Sequence, residues 1–519
     1  MDLCEHVGAD NAALILCPSG RSLTFRALDE RANKLARYLR RAGLVAGDTI
    51  AVIMENNEHI HAVMWAARRS GLYFTLVNIH LTGPEVAYIV DDCGAKAIVS
   101  SRAMRDLCRQ MAQHLPNGLP EVALLADDDM EGWQRYPDYV AAVPAEFTPE
   151  ELEGQLLQYS AGSTGRPKGI RRPLSAASAE RPTLPTPVFK ALGVTSGSVY
   201  LSPAPTYHTA PAMWTLSAQA VGATTVMMER FDAAQALECI ERYRVSHAQF
   251  VPTMFVRMLR LPEHVRKQFD LSSLRRVIHA AAPCPPAIKH QMIEWWGPII
   301  DEYYGSSEGA GISLIRAQDW LEHPGSVGRP LLGRPHIVGD DGTELPPGQI
   351  GDIYFEGGYA FEYLNDAEKT AASRSAQGWV TVGDVGYLDE DGYLYLTDRR
   401  HNMIISGGVN IYPQETENVL ISHPSVADVA VFGVPDDDLG QAVTAVIELT
   451  DGVPTGEAAS TELLSWARER LARHKCPRTL AFETRLPRTD AGKLYKSELV
   501  RKYSAISAQP TSRVPRRPS

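Results

Sequence analysis

The chain has 519 residues, of which 44% are hydrophobic and 22% are charged, a composition typical of a globular protein long enough for more than one domain. Its formal net charge of -11 at pH 7 argues against an extended nucleic-acid-binding surface. The N-terminus lacks the basic and apolar segments of a signal peptide, and no run approaches the ~18 apolar residues of a membrane-spanning helix. We therefore expect a cytoplasmic protein without a transmembrane segment.

The first part of the chain alternates helix and strand patterns. Apolar residues recur at helical spacing over 28–39 after Thr24, a good N-cap, and the apolar run 50–54 is typical of a buried strand. Segment 82–94 begins with a capping box and is followed by another buried strand at 97–99. This alternation predicts a largely parallel sheet with packed helices.

Strand-like runs resume at 224–228, 247–251 and 277–280. From about residue 350 the runs become short and are broken by Gly and Asp, which predicts antiparallel strands and turns.

The fold class predicted is α/β, with a large N-terminal domain that includes a β-rich subdomain and a small, mobile α+β C-terminal domain. The large domain covers 1–398 and the small domain covers 399–505. The tail 506–519 is rich in Pro, Ser and Arg and is expected to be disordered.

The seven cysteines include no CxxC pair of the kind that binds zinc or performs redox chemistry. In a cytoplasmic protein, such scattered positions predict reduced thiols.

Segment 159–169, YSAGSTGRPKG, combines glycines, hydroxyl side chains and a lysine in one loop. Glycines let backbone N–H groups turn toward one point, hydroxyls donate hydrogen bonds and the ammonium adds positive charge, so the loop can hold a polyphosphate. A plain surface turn is the alternative, and the position of the lysine excludes a Walker loop. The candidate phosphate-binding residues are Ser160, Gly162, Ser163, Thr164, Gly165 and Lys168.

This loop resembles the signature loop of the adenylate-forming superfamily, which includes acyl-CoA synthetases, firefly luciferase and peptide-synthetase adenylation domains. The resemblance extends over about 23–502, and it implies the adenylate-forming enzyme fold. Further matching motifs follow in the family order: YGSSEG at 304–309, GDVGYLDEDGYL at 383–394, DRRHNMIISGGVNIYP at 398–413 and PRTDAGKLYK at 487–496.

The resemblance implies roles for residues around a nucleotide. Tyr304 would stack on adenine, Ser307 would contact the α-phosphate, and Glu308 would hold Mg²⁺. Asp384 would accept hydrogen bonds from the ribose hydroxyls, and Arg399 would reach the ribose as well. Taken singly, Glu308 is as readily a solvated loop acid, Asp384 a turn residue and Arg399 an exposed arginine.

The same resemblance implies that Lys493, Thr164 and Glu308 are the catalytic residues. Lys493 would meet the substrate carboxylate and the α-phosphate during adenylation, where a positioned ammonium offsets charge repulsion. The acid would attack ATP, and coenzyme A would then displace AMP, so ATP, Mg²⁺ and CoA are the cofactors and co-substrates implied.

The resemblance implies a hinge between the two domains at His401, where the family usually has Asp or Lys. Asn402 stands where the family commonly has an aspartate. Rotation there would replace Lys493 by the loop of Gly407 and Gly408, which would line a narrow CoA channel.

The residues that match the family's acid-binding pocket are His208, Trp214, Val251 and Ala281. Ala282 matches the family segment that lies along the adenine. The uncharged residues of this set imply a hydrophobic acid, whether fatty, aromatic or a steroid side-chain acid. The sequences SGGVNIYPQE and PTYHTAP resemble those of bacterial fatty-acyl and steroid-type CoA ligases more than those of acetyl-CoA synthetases.

Alternatives remain open. A peptide-synthetase adenylation domain would carry an acidic residue in the segment 205–211, PTYHTAP. An acyl-AMP ligase that delivers to another acceptor would carry an insertion, and 328–357 looks uninterrupted. A non-catalytic nucleotide-binding regulator would be expected to lose Lys493 or Glu308. No nucleic-acid partner is expected, and a homodimer is left open.

Overall fold

The computed structural model describes residues 3–4, 7–136, 140, 142–160, 167–176, 184–436, 438–488 and 494–507. The strands, in chain order, are β1 (Ala12–Cys17), β2 (Ser22–Thr24), β3 (Thr49–Ile53), β4 (Tyr73–Leu76), β5 (Ala95–Ser101), β6 (Val122–Ala126), β7 (Gln134–Tyr136), β8 (Gln158–Ser160), β9 (Lys168–Arg171), β10 (Val199–Ser202), β11 (Thr224–Met228), β12 (His247–Phe250), β13 (Arg276–His279), β14 (Ile300–Gly305), β15 (Ile312–Ile315), β16 (Ser326–Leu332), β17 (Arg334–Val338), β18 (Gly351–Glu356), β19 (Glu362–Tyr363), β20 (Val380–Leu388), β21 (Leu394–Arg399), β22 (Ile404–Ser406), β23 (Val409–Ile411), β24 (Val426–Asp436), β25 (Gly440–Leu449) and β26 (Thr479–Phe482).

Helices pack between and around these strands. The α-helices span Phe25–Arg41, Ile60–Arg69, Gly83–Asp92, Arg105–Ala112, Thr186–Ala191, Thr209–Ala220, Ala233–Arg242, Pro252–Leu259, Glu263–Arg266, Pro286–Trp296, Ala317–Glu322, Ala367–Ala372, Pro413–Ile421, Glu457–Arg470 and Lys496–Ser507. Single 3-10 turns lie at Arg102–Met104, Arg400–Asn402 and Arg473–Lys475. Among the described residues, no helix is both long and apolar enough to cross a membrane.

The first sheet confirms the parallel arrangement predicted from the alternating pattern. Its strands lie in the order β4-β3-β5-β6-β7, and each neighbouring pair is parallel. Helix Phe25–Arg41 begins where the Thr24 hydroxyl accepts a hydrogen bond from the Ala27 N–H at 3.1 Å. Helix Gly83–Asp92 begins with the expected capping box of Thr82 and Glu85.

A larger mixed sheet carries the candidate site. Its order is β17-β18-β20-β21-β16-β15-β14-β13-β12-β10-β11-β1-β2. Strand β14 pairs in parallel with β13 and antiparallel with β15, so the sheet changes type at this strand. The strands from β15 to β21 pair antiparallel, which confirms the turn-rich pattern predicted after residue 350. Ligands of open α/β sheets bind outside the carboxyl ends of the parallel strands, where the loop after β14 lies.

The C-terminal part of the chain has its own sheet and core. Strands β22 to β26 form this sheet, and a cluster of buried residues from these strands and their helices packs against it. The domain boundary predicted between 398 and 399 falls on the last residues of β21. The last helix continues to Ser507, and the remainder of the tail predicted to be disordered, 508–519, lies outside the described residues.

The expectation of reduced thiols throughout is wrong for Cys17 and Cys239, which form a disulfide. Cys17 ends β1, and Cys239 lies on the helix Ala233–Arg242 that follows β11, the parallel neighbour of β1. The two residues are 222 positions apart, so only the sheet order brings them together and no spacing rule could find the pair.

A buried ion pair joins helix Pro286–Trp296 to strand β14 in the middle of the large sheet. Lys289 Nζ lies 2.6 Å from Glu302 Oε2, and His279 Nε2 lies 3.3 Å from the same oxygen. Lys289 and His279 are fully buried and Glu302 is 5% exposed. Burial raises the pKa of Glu302, while burial together with the Lys289 charge holds the pKa of His279 well below its usual value. Strand β13 ends at His279, so segment 280–282 directly follows a residue of this cluster.

We predict that Lys289→Met lowers the free energy of unfolding by about 3–5 kcal/mol, because it leaves the Glu302 carboxylate buried without a cation. The double variant Lys289→Met/Glu302→Gln should recover part of that loss, since neither partner is then charged. Urea unfolding followed by tryptophan fluorescence measures both variants. A double variant no more stable than the single one would contradict this account of the pair.

Candidate active site

A buried carboxylate joins strands that are far apart in sequence. Asp384, on β20, is 7% exposed, and its Oδ2 accepts a hydrogen bond from the Tyr304 hydroxyl at 2.6 Å. Its Oδ1 accepts a hydrogen bond from Arg399 Nε at 3.1 Å, across a β20–β21 register in which the two residues are directly paired. Burial and the Asp384 charge raise the pKa of Tyr304 well above its usual value, so Tyr304 stays a neutral donor.

The three residues expected around adenine and ribose are thus in direct contact. A carboxylate offers about four lone-pair sites, so Asp384 retains acceptor capacity for hydroxyl groups beside the two bonds that it already accepts. A rigid acceptor of this kind suits a vicinal diol, which presents two donors side by side.

The loop after β14 brings Ser307 against the start of helix Thr209–Ala220. The Thr209 and Ser307 hydroxyl oxygens lie 2.9 Å apart. Thr209 directly follows His208, which the resemblance assigns to the acid pocket, so the candidates for contact with the phosphate and with the acid are neighbours in space. Thr209 was not predicted, because an isolated threonine at a helix start has the pattern of an ordinary capping residue.

Glu308 is a buried acid with a neutral partner. Its residue is 9% exposed, and its Oε1 accepts a hydrogen bond from the Tyr363 hydroxyl at 2.9 Å. Burial raises the pKa of Tyr363 above its usual range, and the Glu308 charge adds to the effect. The Lys369 ammonium lies 4.1 Å from the centre of the Tyr363 ring, so cationic charge is close to this acid.

The surroundings of Glu308 fit a magnesium ion held together with phosphates. Mg²⁺ binds through one or two carboxylates plus substrate phosphates rather than through an all-protein cage. Over the described ranges, the group of three potential ligands that lie within 4.8 Å of one another is Glu58, His59 and Asp127, and it does not include Glu308. Glu308 would therefore contribute a single carboxylate ligand.

The candidate phosphate loop is bounded by a hairpin. Strands β8 and β9 pair antiparallel, with Ser160 opposite Lys168. The Lys168 ammonium lies 2.8 Å from Asp366 Oδ2, and this hydrogen bond raises the pKa of Lys168. Asp366 also caps helix Ala367–Ala372. Within that hairpin, Gly162, Ser163, Thr164 and Gly165 lie outside the described residues.

The expected acid-pocket residues separate into two groups. Trp214 stacks on Tyr303 with ring centres 5.2 Å apart and packs against Phe189 on one face of the large sheet. Val251 belongs to the cluster on the opposite face. Ala281 has a φ of +74°, which turns segment 280–282 sharply at the end of β13.

The C-terminal residues expected to act on coenzyme A lie at a tight turn. Gly407 and Gly408 join β22 to β23 with φ values of +56° and +77°, which other residues rarely adopt. Lys493 lies outside the described residues. Lys496, which could pass for a solvated lysine, is instead paired with Glu417 at 2.7 Å.

His401 lies in the 3-10 turn Arg400–Asn402, and contacts on either side hold this turn. Arg400 Nε donates to Asp352 Oδ1 at 2.9 Å, which ties the turn to β18. Asn402 Nδ2 donates to Asp398 Oδ1 at 2.9 Å. The amide of Asn402, at a position where the resemblance leads us to expect an aspartate, therefore donates to Asp398.

The chain matches the family model for the AMP-binding enzyme over residues 4–363 and the model for its C-terminal domain over 415–493. It is 32% identical over 487 residues to a feruloyl-CoA synthase of Amycolatopsis sp, covering 93% of this chain and 94% of that one. It is 30% identical over 502 residues to the fatty acid–[acyl-carrier-protein] ligase ScoC of Streptomyces coeruleorubidus, covering 95% and 94%. A crystal structure of an anthranilate CoA ligase in complex with anthranoyl-AMP matches with a TM-score of 0.83 and 26% identity, covering 96% of this chain and 95% of that one.

We predict that Asp384→Asn weakens AMP binding by about tenfold or more, because charge-assisted hydrogen bonds contribute about 1.5–3 kcal/mol. Isothermal titration calorimetry with AMP measures the change. Asp391→Asn, an exposed position on the turn between β20 and β21, is the matched control and should bind AMP like the wild type. Unchanged affinity in the Asp384 variant would refute its assignment to the ribose.

Proposed function

The chain belongs to the AMP-binding enzyme family, and on that premise we propose that it is an ATP-dependent acyl-CoA synthetase. It activates a hydrophobic carboxylic acid as an acyl-adenylate, transfers the acyl group to coenzyme A and releases AMP and pyrophosphate. Its class is that of the acid:thiol ligases, to which the named CoA ligases among its relatives belong.

The observation that carries this proposal is the contact of Tyr304 and Arg399 with the carboxylate of Asp384. These residues come from three motifs, and Tyr304 lies 80 residues before Asp384. The resemblance implies that Tyr304 contacts the adenine and that Asp384 and Arg399 contact the ribose. A buried acceptor with two ordered donors supports ribose binding. Ser307 lies two residues after the end of β14, the strand that carries Tyr304, and directly before Glu308. The α-phosphate would then lie toward Ser307 and the acid pocket.

Adenylation requires two anions to approach each other. The carboxylate of the acid attacks the α-phosphorus of ATP, the new acyl–phosphate bond forms, and pyrophosphate leaves. Mg²⁺ held by Glu308 would supply charge neutralisation at the phosphates when bound. Lys168 and the hydroxyl donors of the loop would bind the polyphosphate, and Lys493 would hold the substrate carboxylate against the α-phosphate.

Thioester formation requires a different arrangement of the C-terminal unit. We propose that residues 399–505 rotate as a unit against 1–398 about His401, which removes Lys493 and brings in the turn of Gly407 and Gly408. The CoA thiolate then attacks the acyl carbonyl, and AMP leaves. The glycine turn is compatible with close passage of a narrow pantetheine arm.

The acid is proposed to be hydrophobic, with fatty, aromatic and steroid side-chain acids as the candidates. The aromatic packing of Trp214, Tyr303 and Phe189 supports an apolar wall beside helix Thr209–Ala220. The named relatives act on fatty and feruloyl acids, so family membership alone leaves the acid open.

Delivery to an acceptor other than CoA is the second candidate, because one relative is named as a fatty acid–[acyl-carrier-protein] ligase. A thioester assay with free CoA distinguishes the two, since a ligase of that second kind would release acyl-adenylate and form little acyl-CoA.

We predict that Lys493→Ala lowers the rate of pyrophosphate release by about 10²–10³, the usual cost of losing one donor from a preorganised site. Supplied with preformed acyl-adenylate, the variant should still form thioester at near the wild-type rate. Lys496→Ala is the control, because its ammonium is held by Glu417, and it should retain both half-reactions.

Normal adenylation by Lys493→Ala would contradict the proposed role. Loss of both half-reactions in a variant with a wild-type circular dichroism spectrum would contradict the two-conformation mechanism.

We predict that catalytic efficiency rises several-fold per added carbon across a series of straight-chain acids until the pocket is full, because burying each methylene contributes about 0.8 kcal/mol. AMP release in the presence of saturating CoA measures the series. Acetate should be a poor substrate. Half-saturation by acetate at a lower concentration than by octanoate would show that the pocket is not apolar.

A further inference from the structure

Arg172 is a half-buried cation beside the candidate phosphate site. It directly follows β9, the strand that leaves the candidate phosphate loop. Burial lowers the pKa of Arg172, and the nearby Glu308 charge opposes that shift. A partly desolvated guanidinium requires local partners, because a charge removed from water without a partner is costly.

Its contacts are directed at the loop after β14. Arg172 Nη2 donates to the backbone carbonyl of Ser307 at 2.8 Å. Its guanidinium carbon lies 5.0 Å from the centre of the Tyr359 ring. The carbonyl of Arg172 accepts a hydrogen bond from the Tyr73 hydroxyl at 2.8 Å, so its backbone is anchored as well.

The loop is shaped around this guanidinium. Gly309 has a φ of +71°, and a Cβ atom at that position would lie 2.5 Å from Arg172 Nη2 and 2.9 Å from a ring carbon of Tyr359. A residue with a side chain at 309 would therefore displace the guanidinium. The backbone of Gly309 is held from the other side, because its carbonyl accepts the Tyr359 N–H at 2.9 Å.

The adjacent arginine has a different environment. Arg171 is partly exposed and donates to Glu362 at 2.6 Å, on the strand that pairs with β9. It contacts neither Ser307 nor Gly309 in any described interaction. The two neighbours are both half-buried and carry the same charge, but Arg172 contacts the loop after β14 whereas Arg171 contacts Glu362.

We propose that Arg172 is a positioning residue that holds the Ser307–Glu308 turn in the conformation required to bind the nucleotide phosphates. This inference rests on the proposed function. Arg172 acts through the backbone of Ser307 and need not touch the nucleotide. Its loss should weaken contacts to the phosphate while leaving the contacts of Tyr304 and Asp384 to the nucleoside in place.

The test compares AMP with adenosine, which lacks the phosphate, by isothermal titration calorimetry on the full-length protein. Arg172→Met should weaken AMP binding by about tenfold, the usual effect of losing a charge-assisted hydrogen bond, and should leave adenosine affinity within about twofold. Arg172→Lys should fall between wild type and Arg172→Met, because an ammonium retains the charge and lacks the planar fork. Arg171→Met is the matched control and should bind both ligands like the wild type.

Each outcome decides a different question. Unchanged AMP affinity in Arg172→Met overturns the inference, as does an equal loss of AMP and adenosine affinity, which would indicate a general structural role. Should Arg172→Met fail to fold, the milder Arg172→Lys carries the same comparison between the two ligands. Failure of the wild type to bind AMP would overturn the proposed function itself, whereas normal wild-type binding with an unaffected variant overturns this inference alone.

Discussion

The candidate site depends on one buried carboxylate that holds three strands together. Asp384 accepts a hydrogen bond from Tyr304 on β14 and another from Arg399 at the end of β21. Strand β14 is also where the large sheet changes from parallel to antiparallel pairing. The same contact therefore orients the loop that follows β14, aligns the segment that leads to His401 and leaves an acceptor at the edge where α/β sheets bind ligands.

Around the candidate site, cationic side chains are held by specific partners, in a chain whose net charge is -11. Lys168 is paired with Asp366, Arg399 is paired with Asp384, and Arg172 donates to a backbone carbonyl. These partners hold each cation in place before a ligand binds, which lowers the cost of ordering long side chains. An anionic ligand can then add to interactions that are already oriented.

The sequence predicted the architecture well because periodicity and capping are local properties. The capping box of Thr82 and Glu85, the parallel strands of the first sheet and the turn-rich antiparallel region are all confirmed. Motif resemblance also indicated Tyr304, Asp384 and Arg399, which the structure brings into contact. It could not indicate that the Tyr304 hydroxyl bonds Asp384, because that contact depends on the packing of strands that are 80 residues apart.

Other features escaped prediction for the same reason. Thr209, Asp366 and Arg172 lie outside the recognised motifs, and each has an ordinary local explanation as a helix start, a helix cap or a surface arginine. The Cys17–Cys239 disulfide joins distant segments through the order of the sheet. Tertiary neighbours such as these carry no signal in the spacing of a single sequence.

The central claim is that the chain couples ATP cleavage to thioester formation. The most direct measurement incubates the wild-type protein with ATP, Mg²⁺, CoA and octanoate and quantifies all products by mass spectrometry. The account predicts octanoyl-CoA, AMP and pyrophosphate in equal amounts, with none of them formed when the acid is omitted. Release of ADP and phosphate, or AMP formation without any thioester, would contradict it.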